Sequence, residues 1–292
     1  MTKTAWVFPG QGSQAVGMGV DLQNIPAARG KLELADKILG WSVLDICQGE
    51  EEILSRTLYT QPCLYTIESI LADLLIDKIG MPNLVAGHSL GEYTALYAAG
   101  VFDFETGLNL VKRRAELMDA AAGGKMAALM KFDREELAAS LDKTADVVLA
   151  NDNSEAQVVI SGTPNGVDAV LAEIKAKKKV TLNVSGAFHS PLMATAAAKF
   201  KTVLESVNFH DAKISLLSNV KPNPETEGKE LKKRLIQQMT GTVRWREIML
   251  KLPEEDIEAV VEVGPGKVLA GLLKRTCRSI TISNISKYED IQ

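Results

Sequence analysis

Residues 83–99, NLVAGHSLGEYTALYAA, constrain this chain more than any other stretch. An apolar run without charge ends at Gly87-His88. Ser89 follows, and from Gly91 onward apolar residues recur at helical spacing. A buried strand that turns straight into a helix belongs in a mostly parallel sheet covered on both faces. The flanking sequence repeats the alternation. Residues 4–8 read as a strand stopped by Pro9-Gly10, and 31–39, 64–79 and 105–122 read as helices. Strands at 214–218 and 258–263 follow later, with helices around 229–239 and from near Lys267. The expected fold class is therefore α/β.

The middle of the chain has another rhythm. Strand 126–130, helix 133–142, strands 146–150 and 157–161, helix 165–177 and strand 179–184 give the order βαββαβ, a ferredoxin-like arrangement. An insert spanning 125–186 within a core made of 1–124 and 187–292 is the expected division. The stretch 221–234, KPNPETEGKELKKR, is the most polar and reads as an exposed loop running into a helix.

Composition narrows the function. The 292 residues carry 33 basic and 37 acidic side chains, a net charge of −4, which argues against a nucleic-acid partner. The N-terminal MTKTAWVFPG lacks the apolar core of a secretory leader, and no apolar run approaches the ~18 residues of a membrane span. Cys47, Cys63 and Cys277 are scattered and odd in number, so neither a disulfide framework nor a zinc site is expected. A cytoplasmic protein with no membrane association is the expectation.

Gly87-x-Ser89-x-Gly91 between strand and helix is the context of a nucleophile elbow. Such a turn lifts the serine hydroxyl above the sheet and places helix N-terminal amides where an oxyanion develops. A serine needs a base, and the chain has three histidines. His88 adjoins Ser89, where neighbouring side chains diverge, and reads as a packing or pocket-wall residue. His210, in NFHDAK, reads as exposed. His189, in SGAFHSPLM, lies where the insert rejoins the core and is the expected base. No sequence signal marks a third acidic member, so a Ser-His dyad oriented by a backbone carbonyl is expected.

Helix 105–122 places Arg114 in the middle of an otherwise apolar face. A guanidinium there needs a partner. That partner is either a protein carboxylate or a substrate carboxylate gripped by the planar fork. Near the N-terminus, Gly10-x-Gly12-x-x-Ala15 nominally matches a dinucleotide fingerprint. Pro9 interrupts the strand-to-helix passage, and Glu33 lies within a helix rather than at a strand end, so this reading is set aside. The segment is either a plain turn or one that brings the Gln11 amide near the serine as an oxyanion donor.

Five segments, VFPGQGSQ (7–14), GHSLGEY (87–93), VKRRAELM (111–118), NVSGAFHSPLM (183–193) and VEVGPGKVL (261–269), occur in the order found in malonyl-CoA:acyl-carrier-protein transacylases, which this chain resembles over nearly its whole length. The resemblance implies a hydrolase-like core with the ferredoxin-like insert. It implies Ser89 as the acylated nucleophile, His189 as base, and Gln11 with the Leu90 N–H as oxyanion hole. Gln238 stands where the family's main-chain carbonyl orients the histidine. Arg114 would pair with the malonyl carboxylate, and Met118 and Phe188 would line the acyl pocket. Leu90 and Ala187-Phe188-His189 go with malonyl over methylmalonyl in related domains. Ala115 and Asp152 depart from the family's usual glycine and aromatic residue.

The implied reaction is ping-pong malonyl transfer to the phosphopantetheine thiol of acyl carrier protein, without metal or redox cofactor, by a monomer serving fatty-acid biosynthesis. The alternatives are a serine thioesterase or esterase, or a transferase serving polyketide synthesis. An acidic carrier calls for a basic patch, for which 229–234 and 244–246 are candidates.

Overall fold

The computed structural model describes residues 2–121 and 123–291. The first part of the chain forms β1 (Thr4–Phe8), α1 (Pro26–Leu39), α2 (Val43–Gln48), α3 (Glu51–Leu54), α4 (Thr57–Ile79), β2 (Leu84–Gly87), α5 (Gly91–Ala98) and α6 (Phe104–Asp119). The middle forms β3 (Lys125–Phe132), α7 (Arg134–Lys143), β4 (Val147–Ser154), β5 (Gln157–Gly162), α8 (Pro164–Glu173) and β6 (Ala176–Thr181). The last part forms α9 (Ala194–Ser206), β7 (Ser215–Leu217), α10 (Gly228–Gln238), α11 (Trp245–Glu254), β8 (Ala259–Val263), α12 (Val268–Thr276) and β9 (Thr281–Ile285).

One sheet has the order β7-β2-β1-β8-β9 with every pair parallel. Side chains alternate across it, as the period of two requires. Ala5, Val7, Leu84, Ala86 and Val260 pack with Trp245, Ile248 and Leu252 of α11 and with Leu269 and Leu273 of α12. Trp6, Phe8, Val85 and Val263 join the larger core, which includes Leu64, Ile67 and Leu71 of α4 and Leu108 and Val111 of α6. Helix α4 is buried along most of its length, the position expected of a helix with no polar face. Among the described residues no helix is long and apolar enough to cross a membrane.

The second sheet is antiparallel, in the order β4-β5-β3-β6. Ala127, Leu129, Val158 and Ile160 pack under Leu137 of α7 and Val167 and Val170 of α8. Met126, Ala128 and Val159, from the opposite face, belong to the larger core. Backbone bonds between Asp152 and Val243 (2.9 Å) and between Val243 and Ala150 (2.8 Å) tie β4 to the segment before α11.

The structure corrects two readings and adds elements the sequence analysis did not find. The helix expected over 165–177 ends at Glu173, and the following strand is Ala176–Thr181 instead of 179–184. Ala176–Lys179 has good helix formers, yet pairing with β3 prevails. Its lysines suit an edge strand, where charge discourages further pairing. Helix α11 went unforeseen although Trp245, Ile248, Met249 and Leu252 have helical spacing. Strand β9, with the polar sequence TISNI, sits at the other sheet's edge and shows no apolar run.

Candidate active site

Strand β2 ends at Gly87 and α5 begins at Gly91, leaving three residues to reverse direction. A Cβ on Gly87 would fall 1.9 Å from the Gly91 carbonyl carbon, and one on Gly91 2.0 Å from the Phe8 carbonyl oxygen. The backbones therefore touch, and only glycine fits at either position. Between them Ser89 holds φ 50°, a left-handed conformation rare for a residue with a side chain. His189 holds φ 57°.

Ser89 Oγ donates to His189 Nε2 at 2.8 Å. His189 Nδ1 donates to the main-chain carbonyl of Gln238 at 2.9 Å and to that of Gly241 at 3.2 Å. Two carbonyl acceptors require a proton on Nδ1, leaving Nε2 free to accept the serine's. Burial, then the charge of Arg114, pushes His189 down to about 3, so the ring is neutral at neutral pH.

Arg114 is 1% exposed. Its Nη2 donates to Ser89 Oγ at 2.9 Å and to Gln238 Oε1 at 3.2 Å, and its Nη1 donates to Gln61 Oε1 at 2.7 Å. The guanidinium carbon stands 5.3 Å from the Tyr93 ring centroid. Among the described residues Arg114 forms no ion pair, and its Nε bonds nothing. Of the two partners open from sequence, a structural salt bridge is absent among the described residues.

Gln11, Ser89, Leu90, Arg114, Met118, Phe188 and His189 line a single cavity of about 90 Å³. Gln238 lies behind it, bonded to Ser89, Arg114 and His189. The Gln11 amide donates to Thr57 Oγ1 at 3.1 Å. Leu90 is the N-cap residue of α5, so its N–H is among the amides a helix start leaves without internal acceptors. A larger cleft of about 370 Å³ shares Gln11, His88 and Asn151 with the cavity and is lined by Pro9 after β1 and Leu269 of α12 on one side and by Ala128 and Val159 of the second sheet on the other. His88 is a wall residue, as expected, with Nε2 2.8 Å from Asn153 Oδ1. His210 is exposed.

Residues 5–291 match the acyl transferase domain model. The chain belongs to the acyl transferase family. It is 60% identical to the malonyl CoA-acyl carrier protein transacylase of Synechocystis sp., over 99% of each chain. The crystal structure of the Synechocystis malonyl-CoA:ACP transacylase superposes with a TM-score of 0.98, covering 99% of each chain at 60% identity. A chain of the complex between a type II polyketide acyl carrier protein and its malonyl-transacylase also matches, with a TM-score of 0.93 at 35% identity over 99% of this chain and 98% of that one.

Sequence reasoning assigned no role to several residues of this acyl transferase's site. Gln61 holds the Arg114 fork. Asn219 accepts the Ser89 N–H at 2.7 Å and donates to the Gly87 carbonyl at 2.6 Å. Glu92 accepts from the Gln238 side chain at 2.7 Å. Glu92 stood inside the recognised GHSLGEY, whereas Gln61 and Asn219 reach the site only through tertiary folding. Asp152, the departure noted above, pairs with Arg134 at 2.8 Å. The basic candidates for carrier contact are largely neutralised within the chain. Arg234 is buried between Glu225 and Glu230, and Arg244 and Arg246 pair with Glu247 and Glu155.

Proposed function

We propose that the protein moves a malonyl group from malonyl-CoA to the phosphopantetheine thiol of acyl carrier protein through a malonyl-Ser89 intermediate. The observation that carries this reading is Arg114, a buried guanidinium without an anionic partner, in the same small cavity as the Ser89–His189 pair. A malonyl carboxylate supplies the missing anion, and the planar fork orients it. Ser89 Oγ attacks the thioester carbonyl carbon while its proton passes to His189 Nε2. The oxyanion is met by the Leu90 N–H and the Gln11 amide, which turns from Thr57 to do so. The C–S bond breaks, and CoA leaves with the proton from His189. The carrier's thiol then gives its proton to His189 and attacks the malonyl ester, and Ser89 Oγ leaves and recovers the proton. Met118 and Phe188 bound the acyl group, and the 370 Å³ cleft takes the pantetheine arm common to CoA and the carrier. No step calls for a metal or redox cofactor.

The same reading divides the chain into a core of 1–124 and 187–292 and an insert of 125–186, with the cleft between them. It places the enzyme in fatty-acid biosynthesis, in the cytoplasm and as a monomer. The three cysteines, all free and buried, suit a reducing compartment. The polyketide alternative draws support from the polyketide transacylase complex above. Incubation with malonyl-CoA followed by peptide mass spectrometry tests the central step. One malonyl increment on the Ser89 peptide, absent from Ser89→Ala, is expected, and intact protein without it would refute the reading. Parallel assays with fatty-acid and polyketide carrier proteins separate the two pathways.

A further inference from the structure

Glu92 lies three residues beyond Ser89 on α5, so one helical turn places it beneath the nucleophile. It is 1% exposed. One carboxylate oxygen accepts from Gln238 Nε2 at 2.7 Å and from the Asn219 N–H at 3.3 Å. These two residues hold the rest of the site. The Gln238 amide also donates to the Ser89 carbonyl at 2.8 Å, its side-chain oxygen accepts from Arg114, and its main-chain carbonyl accepts from His189 Nδ1. Asn219 grips the Ser89 N–H and the Gly87 carbonyl. Glu92 thus anchors both residues that fix the elbow backbone and the base.

A neutral acceptor could do the anchoring alone. Burying a carboxylate instead is costly, and burial raises Glu92 from 4.5 to about 7 despite its hydrogen bonds and Arg114. The reaction has a use for that charge. When the Ser89 proton reaches His189, a second cation forms near Arg114. In a Ser-His-Asp triad the acid touches the histidine directly. Here the Gln238 main-chain carbonyl takes that place, and the carboxylate bonds the side-chain amide of the same residue.

We propose that Glu92 is a positioning residue for malonyl transfer, holding Gln238 and Asn219 in place and, as a carboxylate, supporting the imidazolium that forms on His189. This rests on the Ser89–His189 reading above. The residues that hydrogen-bond Glu92 do not themselves titrate. Arg114 of α6 stays cationic. Gln238 of α10 and Ser218 and Asn219 after β7 do not titrate. On its own helix, burial pushes the Tyr93 phenol up, keeping it neutral. Glu68 of α4 accepts from Thr94, two residues along α5, and burial pushes its carboxyl well above the usual carboxylate range. His189 stands beyond Gln238 and is neutral.

The test compares wild type, Glu92→Gln and Glu92→Ala in transfer from malonyl-CoA to holo carrier protein, between about pH 5.5 and 9, the span in which Glu92 changes charge. Wild-type kcat should rise as pH climbs through about 7, because the ionised form of Glu92 is the supporting one. Glu92→Gln keeps an acceptor for Gln238 but loses the charge. Its kcat should fall about tenfold, a share of the ~100- to 10,000-fold a placed base contributes. Its KM for malonyl-CoA should stay level, because Arg114, which grips the substrate carboxylate, keeps its bonds to Gln61 and Gln238. The rise near pH 7 should vanish, and its Tm at alkaline pH should be no lower than wild type. Glu92→Ala should be slower still. Wild-type kcat and pH profile in Glu92→Gln would overturn the proposal. So would a loss of rate that only tracks a lowered Tm, the mark of a merely structural residue. Malonylation of Ser89 in the wild type is scored separately: its absence refutes the site reading, whereas its presence beside an unaffected Glu92→Gln refutes only the role of Glu92.

Discussion

Among the described residues Arg114 hydrogen-bonds neutral oxygens alone, from Gln61, Ser89 and Gln238. Exchanging one of these for a carboxylate strengthens its hydrogen bonds, and an uncharged acyl group offers no such exchange. Arg114→Ala should therefore lower kcat/KM for malonyl-CoA by about 2–5 kcal/mol of transition-state stabilisation, roughly 30- to several-thousand-fold. Transfer of acetyl should be retained or increase; equal loss with both acyl groups would remove the carboxylate role. His189 carries a pH signature of its own. Its folded value of about 3 lies below the ordinary 6.5, so the unfolded chain binds the proton more readily. The stability this histidine contributes is fully present above about 6.5 and is lost as pH falls toward 3. Urea titrations at falling pH should show that slope, flattened in His189→Gln. Ser89, His189 and Arg114 were legible in sequence because each violates a local rule: a serine between glycines at a strand end, a histidine at a junction, a charge on an apolar stripe. Gln61 and Asn219 violate none. Their roles depend on positions 53 and 130 residues away in the chain.

The elbow and the edge strand answer to different forces. At Gly87 an added methyl would overlap the backbone of α5, which has no rotamer to yield. Gly87→Ala should cost at least about 3 kcal/mol in denaturant unfolding, the upper end for overpacking, and displace Ser89 enough to abolish activity. Strand β6 is held by pairing on one side only, and Lys177 and Lys179 are exposed there. Replacing both with valine should leave malonyl transfer unchanged but raise association with concentration, seen by light scattering. The strand and helix pattern was readable wherever burial imposed a period, as in VAG before Ser89 or the apolar stripe of α6. It failed at Ala176–Lys179, where local propensity and sheet pairing disagree, and at β9, whose polar side chains leave no stripe to read.

Across the whole molecule, the acyl transferase fold followed from two rhythms, βα alternation and a βαββαβ block, and the two sheets realise them. What the rhythms could not give was how the sheets meet, since that depends on contacts such as Val243 with β4 and His88 with Asn153. The Ser89–His189 bond joins residues 100 positions apart, and the Gln238 bond to Ser89 spans 149. A chain emerging from the ribosome therefore displays its serine long before it owns a base or the carbonyl that aims it. On the mechanism proposed above, Ser89 stays an ordinary hydroxyl until α10 has docked, and a half-made chain should take no malonyl group from malonyl-CoA.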